Sequence, residues 1–458
     1  MEYTDWLKHR QQAQEPDSIE PVELHKNLFP FQRDLVEWAL YKGRCAIFAD
    51  CGLGKTLIQL SWADNVARRT NKTVLILAPI AVAAQSIKEG QKFGIECARS
   101  IDGDIPTGAK IVITNYERIH YFNPADFGAV VCDESSILKN FNGARRGEIT
   151  EFLRSVPYRL LCTATASPND YIELGTSSEA LGELGYMDML GMFFKSDDNT
   201  IDPRGGFRRF SQGKWRFKHH AERDFWKWVC SWSRALRMPS DMGYDNKGFV
   251  LPKLIERETC IKAITPRDGW LFDLPAVNLH EQREERRRTV AERCEAAASL
   301  VNESGDSAVM WCHLNREAET LVDLVSDAEQ VQGGDSPEEK ESLFMDFAGG
   351  NLRVLVTKPK IGGFGLNWQH CNHQTFFPSH SYEQYYQAVR RCWRFGQKRS
   401  VAVDVITSDG ESGVLRNLKR KSEAATKMFN SLVECMHQAH GITQDNKFLT
   451  KQDTPSWL

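Results

Sequence analysis

Short apolar runs separated by helical stretches set the rhythm of this chain. Between residues 25 and 180 the runs are Cys45–Phe48, Val74–Leu77, Ile111–Thr114, Ala129–Cys132 and Arg159–Cys162. Each is apolar or β-branched and bounded by polar residues, the pattern of a strand buried on both faces. Strands spaced by helices predict βαβ units and a parallel sheet covered on both sides. A second series starts near residue 256, with runs at Ala308–Trp311, Glu329–Gln332, Arg353–Val356, Gln374–Phe377 and Val401–Ile406. Helical segments such as Arg316–Ser326 and Pro337–Phe347 lie between them. Residues 185–255 break the rhythm with Gly, Arg, Lys and aromatics. The predicted organisation is α/β: a loose polar leader (1–24), a first lobe (25–184), an insertion and linker (185–255), a second lobe (256–410) and a helical tail (411–458).

The totals agree with two α/β lobes in tandem. At 458 residues the chain exceeds a single hydrophobic core. It is 41% hydrophobic and 26% charged, an ordinary soluble composition. No apolar run approaches the roughly 20 residues that span a bilayer, so no membrane partner is expected. Met1–Asp5 offers neither a basic nor an apolar leader region, and secretion is not expected. The 12 cysteines are scattered without a C-x-x-C pair, as buried thiols of a reducing compartment such as the cytoplasm. His370, Cys371 and His373 are close enough in sequence to weigh as metal ligands, but no second cluster at zinc spacing accompanies them. The net charge of −3 gives no bulk attraction for nucleic acid, so such binding would need local patches.

The chemistry concentrates first at Ala49-Asp50-Cys51-Gly52-Leu53-Gly54-Lys55-Thr56, between the run Cys45–Phe48 and a helical pattern marked by Leu57, Leu60 and Trp62. Strand, glycine-containing turn and helix N-terminus are what a phosphate-binding loop needs. Gly52 and Gly54 would let backbone N–H groups close around phosphate oxygens. Lys55 would reach the β/γ-phosphates, and the Thr56 hydroxyl would ligate Mg²⁺. The other reading is an ordinary strand–helix turn that contains Gly-Lys-Thr. A second site is Val130-Val131-Cys132-Asp133-Glu134, an apolar strand ending in two acids. Asp133 suits a Mg²⁺ ligand and Glu134 a base that orients water, and solvated surface is the alternative. Arg391 and Arg394 stand three residues apart, which on a helix puts both guanidinium groups on one face. An arginine from a second lobe can stabilise charge on a transferring γ-phosphate.

These segments resemble, in order, the motifs of superfamily-two helicase-like ATPases, and most closely the Swi/Snf group of DNA translocases, over roughly residues 24–410. Leu28-Phe29-Pro30-Phe31-Gln32 is similar to the adenine-reading segment, which implies that Gln32 contacts the base. Thr114-Asn115-Tyr116-Glu117 resembles a segment that touches the nucleic-acid backbone, implying a DNA contact at Thr114. Asp133 to Asn140 looks like the family's acidic motif, and its Lys139-Asn140 ending favours the Swi/Snf group. Cys162-Thr163-Ala164-Thr165-Ala166-Ser167-Pro168-Asn169 resembles the segment that couples hydrolysis to lobe movement. Gly362–Asn367 and Gln387–Gln397 match the last two motifs, which implies nucleotide contacts at Gly365 and Gln387. Ser136 stands where the family usually has His, and Ala166 where it often has Pro; both positions concern coupling.

The resemblance implies two RecA-like lobes clamping ATP and Mg²⁺, a motor on double-stranded DNA, and a replication or recombination protein as partner. A compact engine of this kind resembles bacterial or phage relatives, acting at the nucleoid or in a host cytoplasm. Within the insertion, residues 204–220 carry Arg208, Arg209, Lys214 and Arg216 with no acid, interleaved with Trp215 and other aromatics. Cations neutralise phosphates, while the aromatics can stack on bases or pack the insert onto its lobe. The basic stretch Arg416–Lys421 is a weaker candidate of the same kind. The rival expectations are a strand-separating helicase on DNA or RNA, and an ATP-switched module that recruits a protein.

Overall fold

The computed structural model describes residues 18–140, 143–167, 170–196, 215–218, 220–263, 279–363 and 367–440. The chain divides into two compact units, residues 1–246 with 427–458, and residues 247–426. Among the described residues no helix is long and apolar enough to cross a membrane.

The first unit is built on a seven-stranded sheet. Its strands are β1 (Arg44–Ala49), β2 (Thr73–Ala78), β3 (Ala98–Arg99), β4 (Ile111–Asn115), β5 (Phe127–Asp133), β6 (Tyr158–Thr163) and, well after the antiparallel pair β7 (Phe194–Ser196) and β8 (Trp215–Phe217), β9 (Ser233–Leu236). The order is β3-β4-β2-β5-β6-β1-β9, and every pairing is parallel. Val130, Val131, Leu160 and Ile47 are all fully shielded from solvent, as expected for strands covered on both faces. All five apolar runs of the first series are strands of this sheet. β9 is the addition: the stretch read as an insertion contributes the strand beside β1, and Asp50 N continues that pairing to Leu236 O at 3.0 Å. Its preceding helix, Ala221–Trp232, buries Phe225, Trp226, Trp228 and Trp232.

The leader is not loose over its described part. Asn65, 1% exposed on the helix Lys55–Thr70, accepts from Val22 N at 2.8 Å and Glu23 N at 3.2 Å and donates to Glu23 O. One buried amide thus satisfies three backbone groups of the leader, which low hydropathy alone does not reveal.

The second unit holds a six-stranded parallel sheet of β10 (Leu254–Ile261), β11 (Ala308–Trp311), β12 (Ala328–Val331), β13 (Val354–Thr357), β14 (His373–Phe376) and β15 (Val401–Ser408), in the order β10-β15-β14-β11-β13-β12. Alternate residues of one strand enter different cores. Val309 and Trp311 pack with Leu355, Trp368 and Val403, while Ala308 and Met310 pack with Val354, Val356 and Ile406. Charge anchors the flanking helices: Arg293 and Glu317, both fully buried, pair at 2.8 Å. The final helix, Ser412–His440, follows β15.

Candidate nucleotide site and second-lobe arginines

The glycine-containing turn follows β1 and opens directly onto the helix Lys55–Thr70, which has no side-chain cap at Gly54. Uncapped N–H groups of a first helical turn, with the helix dipole behind them, form an anion site. Gly54 has φ +75°, and a Cβ there would lie 2.4 Å from Gln32 Nε2, so the turn requires glycine twice over. Gln32, 3% exposed, donates to Leu53 O at 2.8 Å and accepts from Phe29 N at 2.9 Å, tying the segment before the first helix to the loop. Lys55 Nζ lies against the loop's own carbonyls, donating to Ala49 O at 2.9 Å and Asp50 O at 3.3 Å. Thr56 follows it in the first helical turn, partly exposed.

The acidic pair terminates β5. Register places Asp133 opposite Cys162 of β6, and Thr163 opposite Phe48 of β1. The carboxyl ends of β5, β6 and β1 therefore meet as consecutive neighbours, where ligands of parallel α/β sheets sit. Asp133 is 6% exposed, and its carboxyl is pushed up to about 6, chiefly by burial and then by the Glu134 carboxylate. Gln59 and Lys55 pull it back towards the ionised form. Tyr116 Oη donates to Asp133 O at 2.7 Å and fixes the strand end. Glu134 has φ +49°, an uncommon conformation for a residue with a side chain, and Thr163 Oγ1 donates to its Oε2 at 3.2 Å. Thr163 also accepts from Thr165 N at 3.0 Å, and the Thr165 hydroxyl donates to Ser136 Oγ at 3.4 Å. The hydroxyl and carboxylate oxygens of Thr56 and Asp133 are the hard donor set that Mg²⁺ takes.

The structure brings Gln32, on the helix Pro30–Lys42, against the turn that carries Gly52, Gly54, Lys55 and Thr56, and places Asp133 with Glu134 at one strand end. Gln59 is a site residue that the motifs do not contain, and the contacts of Tyr116 and Thr163 with this strand end differ from the roles the motifs imply for their segments. The available signal for Gln59 was an amide among Leu57, Ile58 and Leu60 on a buried helix.

In the second unit the expectation for Arg391 and Arg394 fails in part. The helix Tyr382–Cys392 ends before Arg394, so the two arginines do not share a helix face. Gln397, 7% exposed, donates to Cys371 O at 2.9 Å and Cys392 O at 3.3 Å, and Gly396 turns at φ +92°. Those contacts end the helix where the amphipathic pattern runs on. Arg391 is 4% exposed, with Nε donating to Gln387 O at 3.0 Å. The Gln387 side chain is also buried, and neither of its polar atoms has a partner among the described residues. Gly365 lies outside the described residues.

The nucleic-acid candidates fare unevenly. Thr114 is 2% exposed inside β4, so its hydroxyl is not presented to a backbone phosphate. Arg208, Arg209 and Lys214 lie outside the described residues. Trp215 is half-buried and Arg216 exposed on β8. Their neighbour Phe217 packs its ring 4.6 Å from Phe194 and 5.2 Å from Phe225, so at least this aromatic serves the lobe. In the basic tail, Lys419 pairs with Glu258 at 2.6 Å and Lys421 donates to His380 O at 2.6 Å. Among the described residues no three His, Cys, Asp or Glu side chains are placed to hold a metal ion. His373 instead bonds Asp404 at 2.8 Å.

Residues 292–396 match the helicase conserved C-terminal domain. The chain is 26% identical over 170 residues to putative protein p41 of Acyrthosiphon pisum secondary endosymbiont phage 1, covering 32% of this chain and 37% of that protein. It is 28% identical over 169 residues to the SWI/SNF-related matrix-associated actin-dependent regulator of chromatin subfamily A-like protein 1 of Xenopus tropicalis, covering 35% of this chain and 18% of that protein. It is 30% identical over 118 residues to the ATP-dependent RNA helicase FAL1 of Chaetomium globosum, covering 24% of this chain and 29% of that protein. The chain thus spans well under half the length of each of these relatives. In fold it is similar to S. cerevisiae Dbp5 bound to RNA and ADP BeF3, with a TM-score of 0.53 at 13% identity, covering 89% of this chain and 98% of that one. Residues 292–396 thus carry a helicase C-terminal domain, and the two parallel-sheet lobes share the tandem RecA-like fold of Dbp5.

Proposed function

We propose that the chain is an ATP-driven, Swi/Snf-type motor that moves along duplex DNA. The observation that carries this reading is the meeting of the loop Ala49–Thr56, Thr163 and the pair Asp133–Glu134 at neighbouring strand ends. Phosphoryl transfer needs that combination of phosphate cradle, cation ligand and water-orienting base. In this reading Gln32 contacts adenine, and Lys55 with the first-turn N–H groups takes the phosphates. Thr56 and Asp133 would hold Mg²⁺, which would supply positive charge to offset that of the phosphates. Glu134, held by Thr163, orients the attacking water and accepts its proton. Within the second unit, Gly365 and Gln387 are the proposed nucleotide contacts, and Arg391 and Arg394 the proposed arginines for charge on a γ-phosphate.

Duplex DNA as the track is supported by the Lys139-Asn140 ending and by the similarity to the Xenopus SWI/SNF-related protein. Arg208, Arg209, Lys214, Trp215 and Arg216 are the local patch a chain of net charge −3 needs for phosphates. A replication or recombination protein is the proposed partner, and the cytoplasm, with the nucleoid, the place of action. The 30% identity to a fungal RNA helicase favours a second reading, strand separation on RNA. Displacement of a third strand from a DNA triplex, without unwinding of a blunt duplex, is the result expected of the translocase. Unwinding of a tailed RNA duplex with no triplex displacement would favour the second reading.

A further inference from the structure

Gln59 stands three residues after Thr56 and therefore on the same side of the helix Lys55–Thr70. It is 1% exposed, and its Nε2 donates to Asp133 Oδ1 at 2.7 Å. The Glu134 backbone N–H donates to the same oxygen at 3.1 Å. Both contacts fall on Oδ1, and among the described residues Oδ2 has no hydrogen bond.

An amide at this position has a cost. The neighbouring helix residues Ile58 and Leu60 are fully buried, and a leucine or methionine would fill the space without desolvating polar atoms. What an apolar side chain cannot do is stop the Asp133 carboxylate from turning about its last torsion. Two donors on Oδ1 remove that freedom and leave one defined oxygen for a cation.

We propose that Gln59 is a positioning residue that orients the Asp133 carboxylate, through Oδ1, for the Mg²⁺ that accompanies the nucleotide. This rests on the reading of Asp133 as a Mg²⁺ ligand. Outer-shell hydrogen bonds to ligating carboxylates commonly carry about 10- to 100-fold in metal affinity. Gln59 touches neither loop carbonyls nor phosphate-facing N–H groups, so metal-free nucleotide binding is independent of it.

The test is a titration of the full chain with a fluorescent ADP analogue, across a Mg²⁺ series and in excess EDTA. Gln59→Met keeps the volume without the amide, and Gln59→Asn keeps the amide one methylene short of Asp133. Both variants are expected to need about 10-fold or more Mg²⁺ for half-maximal binding, while binding in EDTA and the melting temperature stay near wild type. An unchanged Mg²⁺ requirement in both variants, or an equal loss with and without Mg²⁺, would overturn the positioning role. If the wild type itself bound nucleotide with no dependence on Mg²⁺, the reading of Asp133 would fall first, a result distinct from either.

Discussion

Thr163 Oγ1 donates a 3.2 Å hydrogen bond to Glu134 Oε2, joining the end of β6 to the carboxylate that follows β5. The same hydroxyl accepts from Thr165 N, and Thr165 in turn reaches Ser136. A base held this way acts from one fixed position. Glu134→Gln should retain ATP binding and lose turnover by about 10²- to 10⁴-fold, the usual contribution of a positioned base. Thr163→Val should lower kcat by about 10- to 100-fold with KM little changed, since a hydrogen bond to a carboxylate contributes about 1.5–3 kcal/mol. Thr163→Ser should restore it. Near-normal turnover in Glu134→Gln would remove the base assignment.

Lys55 bonds two carbonyls of its own loop, Ala49 O and Asp50 O. Lys55→Ala therefore removes a tie within the loop as well as a charge for phosphate. Equilibrium binding of ATP and steady-state turnover should both fall. A variant with normal ATP affinity and impaired turnover would show that Lys55 acts only in the transition state.

Arg391 and Arg394 separate in the fold, the first buried against Gln387 O and the second beyond the helix end at Cys392. Their substitutions should differ accordingly. Arg391→Ala should lower the melting temperature and the activity together. Arg394→Ala should leave stability near wild type and cut kcat by about 10³-fold with ATP affinity retained, as for an arginine acting on transition-state charge. An effect of Arg394→Ala on KM alone would make it a binding residue.

His313 follows β11, and burial, then the nearby Arg286, holds its pKa down at about 4. Glu317 opposes that shift and Arg293 adds to it. The folded protein keeps this imidazole neutral where the unfolded chain would protonate it. Its contribution to stability is therefore complete above the ordinary value of 6.5 and is lost as pH falls through about 4. The gap corresponds to on the order of 3 kcal/mol. Urea titrations at pH 7, 5 and 4 should show wild type losing stability relative to His313→Gln by an amount of that order. Parallel losses in both proteins would place the acid sensitivity elsewhere.

Much of this fold was legible because buried parallel strands announce themselves as short apolar runs, and all ten such runs are strands. β10 escaped because its Glu256, Arg257 and Glu258 read as surface; in the fold it is an edge strand whose charges meet Tyr385, Asp404 and Lys419. β9 escaped because it is four residues long and carries a buried arginine, Arg234, which donates to Cys230 O and lies over the Trp38 ring. At the site, the loop and the acidic pair follow from local spacing alone. Gln59 and the Thr163 contact do not, because their partners lie 74 and 29 residues away in the chain. The stop at Cys392 depends on a side chain five residues further on, which no periodicity contains.

A motor driven along duplex DNA by ATP should show itself in the ATPase rate of the full chain with duplex DNA, single-stranded DNA and RNA side by side, with Glu134→Gln as the blank. Duplex DNA should stimulate hydrolysis most and single-stranded RNA least, and Glu134→Gln should stay flat throughout. Equal or greater stimulation by RNA, or a rate indifferent to all three, would contradict a duplex-DNA motor.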